Sequence, residues 1–215
     1  MPIDVTTEIT VLNQTEFYAL NPKVLRIVFD VHNDFGRFLD EALYKTEIAA
    51  RWEMAGLGKV QREVQINVSH ETFCKSYFMD LLFNGGLMLE AKVTESLISA
   101  HRTQGLNYIL LAGLKHALLA NLRPERVEHE FLSTTLTQAE RRRFSLVDAG
   151  WLAVDEESLS FRERLAALLT DWGAFLEVGL YREGLAHYFC GSQGAAGAVP
   201  VYSGTRLTCK FHTVL

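Results

Sequence analysis

The 215 residues predict an α/β fold of the α+β kind, with helices flanking a central mixed β-sheet, followed by a mainly helical region that ends in a β-hairpin. Three observations predict it. Helical spacing of apolar residues over roughly 22–54 gives way to strand-like runs from residue 60. The stretch FMDLLFNGGLMLEAKV has apolar runs on both sides of Asn84-Gly85-Gly86, a strong hairpin signal. A helical segment then separates the third strand from the fourth, so three antiparallel neighbours are followed by a crossover, the connection that a mixed sheet requires.

Each element has its own signal. Residues 8–12 read as a short strand or extended arm. Asn21-Pro22 opens a helix with Pro22 near its first turn, and Leu25, Val28, Phe29 and His32 follow at helical spacing. Asp34-Phe35-Gly36 breaks it. A second helix runs from about Phe38 to Met54 on the stripe Leu39, Ala42, Leu43, Ile48 and Trp52, and Gly56 and Gly58 end it. Residues 60–68 form a strand, residues 69–72 a turn, residues 73–83 a second strand and residues 87–93 a third. Ser99 caps a helix over 100–112. Residues 116–122 and 127–132 supply further strands. Gln138–Phe144 is charged and helical, and its Arg141-Arg142-Arg143 run reads as a solvated helix face or a phosphate contact. Residues 158–170 and 174–189 are two more helices, 191–197 is a glycine- and alanine-rich loop, and VPVYSGTRLTCKFHTVL closes as a hairpin.

Composition narrows the class. A hydrophobic fraction of 48% with 22% charged residues is that of a soluble globular protein, with no apolar run of membrane-spanning length. The N-terminus lacks a basic segment followed by an apolar one, so no secretory signal is expected. The three cysteines lack metal-type spacing and read as reduced thiols of a cytoplasmic protein. A net charge of -5 argues against a sequence-independent nucleic-acid coat, but leaves room for a nuclease with an acidic site and a local basic patch.

The hairpin carries the chemistry. With residues 84–86 as its loop, Asp80 falls opposite Glu90, and Glu90 and Lys92 share a face. Two opposed carboxylates in buried strands are unfavourable without a partner. A magnesium or manganese ion between them, completed by substrate phosphate, removes the conflict. Lys92 can orient or deprotonate a water there. Taken singly, Asp80 is also an ordinary turn neighbour and Glu90 with Lys92 an ordinary solvated strand end.

GRFLDEALY (36–44), the Asp80 and Glu90-Ala91-Lys92 hairpin, and HRTQGLNY (101–108) resemble, in that order, the GxxExxY proteins of the PD-(D/E)XK nuclease superfamily, over roughly residues 17–135. The resemblance implies a nuclease-like core. Asp80, Glu90 and Lys92 match the superfamily's acid pair and lysine, Gln104 and Tyr108 its Gln-x-x-x-Tyr element, and Glu41 and Tyr44 the Glu and Tyr of the family's name. It thereby implies Asp80, Glu90 and Glu41 as metal ligands, with Lys92, Gln104 and Tyr108 completing the site. His101 lies on the face of Gln104. Two departures stand: Phe38 occupies the position three before Glu41, with the nearest glycine at Gly36, and Met79 rather than proline precedes Asp80.

The chain also echoes itself. GRFLDEALYKTEIA (36–49) resembles GAFLEVGLYREGLA (173–186) at an offset of 137, and residues 68–82 resemble 201–215 at an offset of 133. Asp80 then corresponds to Thr213 and Glu41 to Val178. The expected organisation is a nuclease-like domain over 1–132, a connecting segment over 133–159, and a partial, catalytically dead repeat over 160–215, whose last strand offers an edge for self-association. The functional expectation is a magnesium- or manganese-dependent nuclease acting on DNA and not on membranes. A non-catalytic module on a nuclease fold, binding nucleic acid or protein, and a hydrolase of small phosphorylated substrates are the other readings.

Overall fold

A computed structural model describes residues 2–147, 149–152 and 154–189, together with the backbone of 197–203 and 206–214. The chain divides into two compact units, Met1–Ser69 with Cys74–Arg141, and His70–Phe73 with Arg142–Leu215. Among the described residues no helix is long and apolar enough to cross a membrane.

The first unit runs β1 (Ile3–Val5), α1 (Gln14–Phe35), α2 (Glu41–Met54), β2 (Val60–His70), β3 (Phe73–Phe83), β4 (Leu87–Lys92), α3 (Ser99–Ala112), β5 (His116–Asn121), β6 (Glu128–Ser133) and α4 (Gln138–Arg141). The strands form one six-stranded sheet in the order β1-β2-β3-β4-β5-β6. The β3–β4 and β5–β6 pairs are antiparallel and β4–β5 is parallel, with α3 as the crossover. This is the mixed sheet with flanking helices that the sequence predicts.

Several boundaries differ from expectation. The helix expected to open at Pro22 begins eight residues earlier, because Asn13 and Glu16 form a capping box: the Asn13 side chain accepts from the Glu16 N–H at 3.0 Å and Glu16 accepts from the Asn13 N–H at 2.8 Å. Pro22 therefore sits inside α1. Burial of Val24, Ile27, Val28 and Val31 outweighs the one missing donor. Residues 8–12 are an arm and not a strand, and Thr10 donates its N–H to the Gly85 carbonyl at the hairpin turn at 2.8 Å. The second helix starts at Glu41 rather than Phe38. The expected solvated basic run does not hold for Arg141, which is buried and donates to the Leu110 carbonyl at 2.5 Å.

The core lies between α1, α2 and the sheet, where Val28, Val31, Ile48 and Trp52 meet Leu81, Phe83, Leu87, Leu89 and Leu118. Alternation sends Leu87, Leu89 and Ala91 into this core and leaves Met88, Glu90 and Lys92 on the other face of β4. Gly105 lets α3 approach β6 closely, since a Cβ there would lie 2.4 Å from the Leu132 side chain.

The second unit contains α5 (Glu156–Trp172), α6 (Val178–Tyr188) and the backbone of a hairpin, β7 (Gly197–Ser203) and β8 (Arg206–Val214). Asp155 caps α5 by accepting from the Ser158 N–H at 2.7 Å. Residues 70–73 pack within this unit: His70 Nδ1 lies 2.5 Å from Asp171, Arg164 donates to Glu71 at 2.7 Å, and the Phe73 ring meets Trp172 at 5.5 Å. The α5–α6 corner repeats the bonding of the α1–α2 corner. Tyr44 donates its hydroxyl to the Gly36 carbonyl, and Tyr181 does the same to Gly173. Gly36 and Gly173 both cap helices, donating to His32 at 2.8 Å and Leu169 at 2.9 Å, with φ of 71° and 80°. Such positive φ explains why the glycine stands at 36 rather than at 38. The hairpin turns also correspond, since β7 ends and β8 begins 133 residues after the end of β2 and the start of β3. The side chains of the expected terminal hairpin, Thr213 included, lie outside the described residues.

Candidate active site

The Asn84-Gly85 turn, with φ of 49° and 70°, sets the β3–β4 register at Phe83–Leu87, Leu82–Met88 and Leu81–Leu89. Regular pairing stops there. At the next position a side chain replaces the ladder: Asp80 Oδ2 accepts the Ala91 N–H at 2.9 Å. Asp80 is thus fixed at the point where β3 and β4 cease to pair. Glu90 is 2% exposed; its Oε1 accepts from Lys92 Nζ at 2.7 Å, and its Oε2 is buried with no hydrogen-bond partner. The two acids and the lysine come together as the hairpin register predicts.

Two residues that sequence reasoning did not select complete the cluster. Lys45, one turn after Glu41 on α2, donates to Asp80 Oδ1 at 2.8 Å and to Glu63 Oε1 at 2.6 Å, and lies 3.6 Å from Glu41. Glu63 has φ of 49° inside β2, a left-handed conformation rare for a non-glycine residue. The Glu41-to-Lys45 spacing was the one signal for Lys45. For Glu63 a local irregularity in β2 decides, and no sequence pattern announces it.

Electrostatics follow from this packing. Burial, then the Asp80 charge, pushes the Glu90 carboxyl up to about 7 against the opposing pull of Lys92. Burial alone would lower both lysines. Asp80 and Glu63 outweigh it at Lys45, and Glu90 does so at Lys92, so both ammonium groups are held above the ordinary lysine value. For Lys92 the cause is the buried Glu90 carboxylate that it contacts at 2.7 Å.

On α3, Gln104 donates to the Tyr108 hydroxyl at 3.0 Å. Burial raises the Tyr108 hydroxyl against the opposing pull of the Gln104 hydrogen bond, and the Glu90 charge adds to the rise. Two candidates do other work. Tyr44 is buried and spends its hydroxyl on the α1–α2 corner, while His101 accepts from the Ile98 N–H at 3.2 Å and closes the start of α3 in place of Ser99.

The sequence profile of the PD-(D/E)XK nuclease superfamily matches residues 18–132, more than half of the chain. The chain belongs to the PD-(D/E)XK nuclease superfamily. The matched span holds Glu41, Lys45, Glu63, Asp80, Glu90, Lys92, Gln104 and Tyr108, and this superfamily's chemistry is phosphodiester hydrolysis. One solved structure, "Crystal structure of SSO0001", is 16% identical, with 54% of this chain and 68% of that chain covered at a TM-score of 0.31. No curated protein matches the chain.

The acid pair of this superfamily member fits a divalent ion only in part by itself. Among the described residues no three acidic, histidine or cysteine side chains converge as a ready metal cage. What is present is a carboxylate pair with one buried, unpartnered oxygen on Glu90, and with Asp80 Oδ1 facing a cation already, the Lys45 ammonium. One or two carboxylates plus waters and substrate phosphate is the arrangement magnesium favours, so the pair fits once substrate completes the shell.

Proposed function

We propose that this protein is a divalent-cation-dependent nuclease that hydrolyses phosphodiester bonds of DNA. The observation that carries the reading is the buried Asp80–Glu90–Lys92 cluster at the point where β3 and β4 part, with one Glu90 oxygen unpartnered. Asp80 and Glu90 would hold magnesium or manganese, with Glu41 at the rim. Such an ion polarises a phosphoryl oxygen and makes water nucleophilic at neutral pH. The chain's own groups do the remainder. Lys92, kept protonated beside Glu90, offsets charge that develops on the phosphate. The Gln104 amide orients the Tyr108 hydroxyl, and the pair can hold a phosphate oxygen in line. We infer the GxxExxY branch from Glu41 and Tyr44, and a duplicated origin for residues 160–215 from the matching corners and hairpin turns.

The test is cleavage of a fluorescently labelled oligonucleotide with manganese or magnesium. Wild type should cleave and lose activity in chelator, while Asp80→Asn and Glu90→Gln should fall by about a hundredfold to a thousandfold, as losses of transition-state electrostatics do. Full metal-dependent activity in Asp80→Ala would end the reading. A second reading, a non-catalytic nucleic-acid- or protein-binding module, is favoured by one observation: Lys45 already neutralises Asp80. Calorimetric titration with manganese separates the two, since a module whose acid is permanently satisfied binds no ion.

A further inference from the structure

A nuclease with an acidic site and a net charge of -5 needs a local surface that attracts a polyanion. Arg141 of the Arg141–Arg143 run adds nothing to such a surface, because it is buried against α3, and the exposed Arg142 and Arg143 belong to the second unit. The α1–α2 corner offers another. Phe38 is 72% exposed there, and two guanidinium groups lie over its ring, Arg37 at 5.0 Å and Arg123 at 5.4 Å. Arg126 is exposed on the same loop as Arg123. Glu125, itself exposed, lies 4.0 Å from Arg37.

The chain ties this corner to the acid cluster on both sides. Phe38 precedes Glu41 by three residues. Arg123 follows β5, whose Asn121 is the register partner of Lys92, and the Leu122 N–H donates to the Lys92 carbonyl at 2.8 Å. The 122–127 loop thus leaves the sheet at the end of β4 that carries Glu90 and Lys92, the end where open parallel strands bind ligands. His32, in the last turn of α1, hydrogen-bonds the Pro124 carbonyl at 3.0 Å and holds the loop against the corner.

We propose that Phe38 is a stacking platform for an unpaired base of a nucleic-acid strand, with Arg37, Arg123 and Arg126 taking the adjacent phosphates. A largely exposed aromatic ring with cations beside it satisfies a partner that is flat, aromatic and anionic at once, and single-stranded nucleic acid is that partner. The proposal rests on the nuclease reading and sharpens it, since the strand delivered to Asp80 and Glu90 is then single-stranded or frayed rather than a closed duplex.

The experiment is fluorescence anisotropy in chelator, so that binding is read without cleavage, using a labelled twelve-nucleotide oligo-dT and a blunt DNA hairpin. Wild type should bind the single strand more tightly than the hairpin. Phe38→Ala should weaken single-strand binding about tenfold and Phe38→Trp should keep it, in line with stacking on one ring. Arg123→Ala should lower the slope of log affinity against log salt by about 0.7. Manganese affinity, read by calorimetry, should not change in Phe38→Ala. Equal binding by wild type and Phe38→Ala, an unchanged salt slope in Arg123→Ala, or no binding of the single strand by wild type would each overturn the platform. Absence of manganese binding in wild type would instead remove the nuclease reading beneath it.

Discussion

Lys45 is the residue on which the cluster's charge balance turns. Its ammonium reaches Asp80, Glu63 and Glu41 from one position, and without it three carboxylates would face one another with Glu90 behind them. Breaking a buried pair by removing one partner costs about 3 kcal/mol, because the remaining charge is left uncompensated. Lys45→Met should therefore destabilise the protein by about that amount in chelator, measured by urea unfolding. The same change removes the cation that competes for Asp80 Oδ1, so manganese should bind Lys45→Met more tightly than wild type, and the metal-induced rise in melting temperature should be larger. A variant that is both destabilised and unable to bind manganese would show that Lys45 builds the site rather than competing for it. Arginine at this position should not restore the balance, since a planar fork does not fit a seat made for a compact ammonium.

At the scale of elements, the two helical corners show how local chemistry repeats while function does not. In each, a glycine with positive φ ends one helix, an acidic residue precedes the next, and a tyrosine hydroxyl returns to the glycine carbonyl. Both corners also leave a phenylalanine exposed, Phe38 and Phe175, but arginines lie over Phe38. Tyr44→Phe removes one hydrogen bond and leaves the Gly36 carbonyl to seek water, so a loss of about 1–2 kcal/mol is expected in chemical unfolding, with manganese binding unchanged. These corners were legible as a sequence echo because their glycine, apolar and tyrosine positions are all set by local geometry. The β3–β4 hairpin was legible for the same reason, since its turn dictates its register. The start of α1 was not, because the Asn13–Glu16 box lies outside the apolar stripe and Pro22 is a misleading start signal. Lys45 and Glu63 were hidden more deeply: their meeting with Asp80 joins α2, β2 and β3, and no spacing along the chain encodes a contact among three elements.

For the molecule as a whole, the acid pair couples folding to pH. The Glu90 carboxyl ordinarily titrates near 4.5 and is pushed up to about 7 by burial and by Asp80. Between those values the native state holds a proton that the unfolded chain has released. The Glu90 contribution to stability is then fully present below pH 4.5 and is lost as pH rises through the folded value, the reverse of a carboxylate that is salt-bridged into a lowered pKa. The limit of the loss is on the order of 3 kcal/mol, since a tenfold change in proton affinity corresponds to about 1.4 kcal/mol. Thermal melts in chelator at intervals from pH 4.5 to 8 should show the decline, and Glu90→Gln, which keeps the shape without the charge, should flatten it and leave the protein more stable at pH 8. The same variant should bind no manganese. Stability gained at the expense of metal binding is what a buried acid retained for chemistry rather than for folding would produce. A wild-type profile that is flat over this range would mean that Glu90 ionises freely, and that its buried oxygen is reached by water.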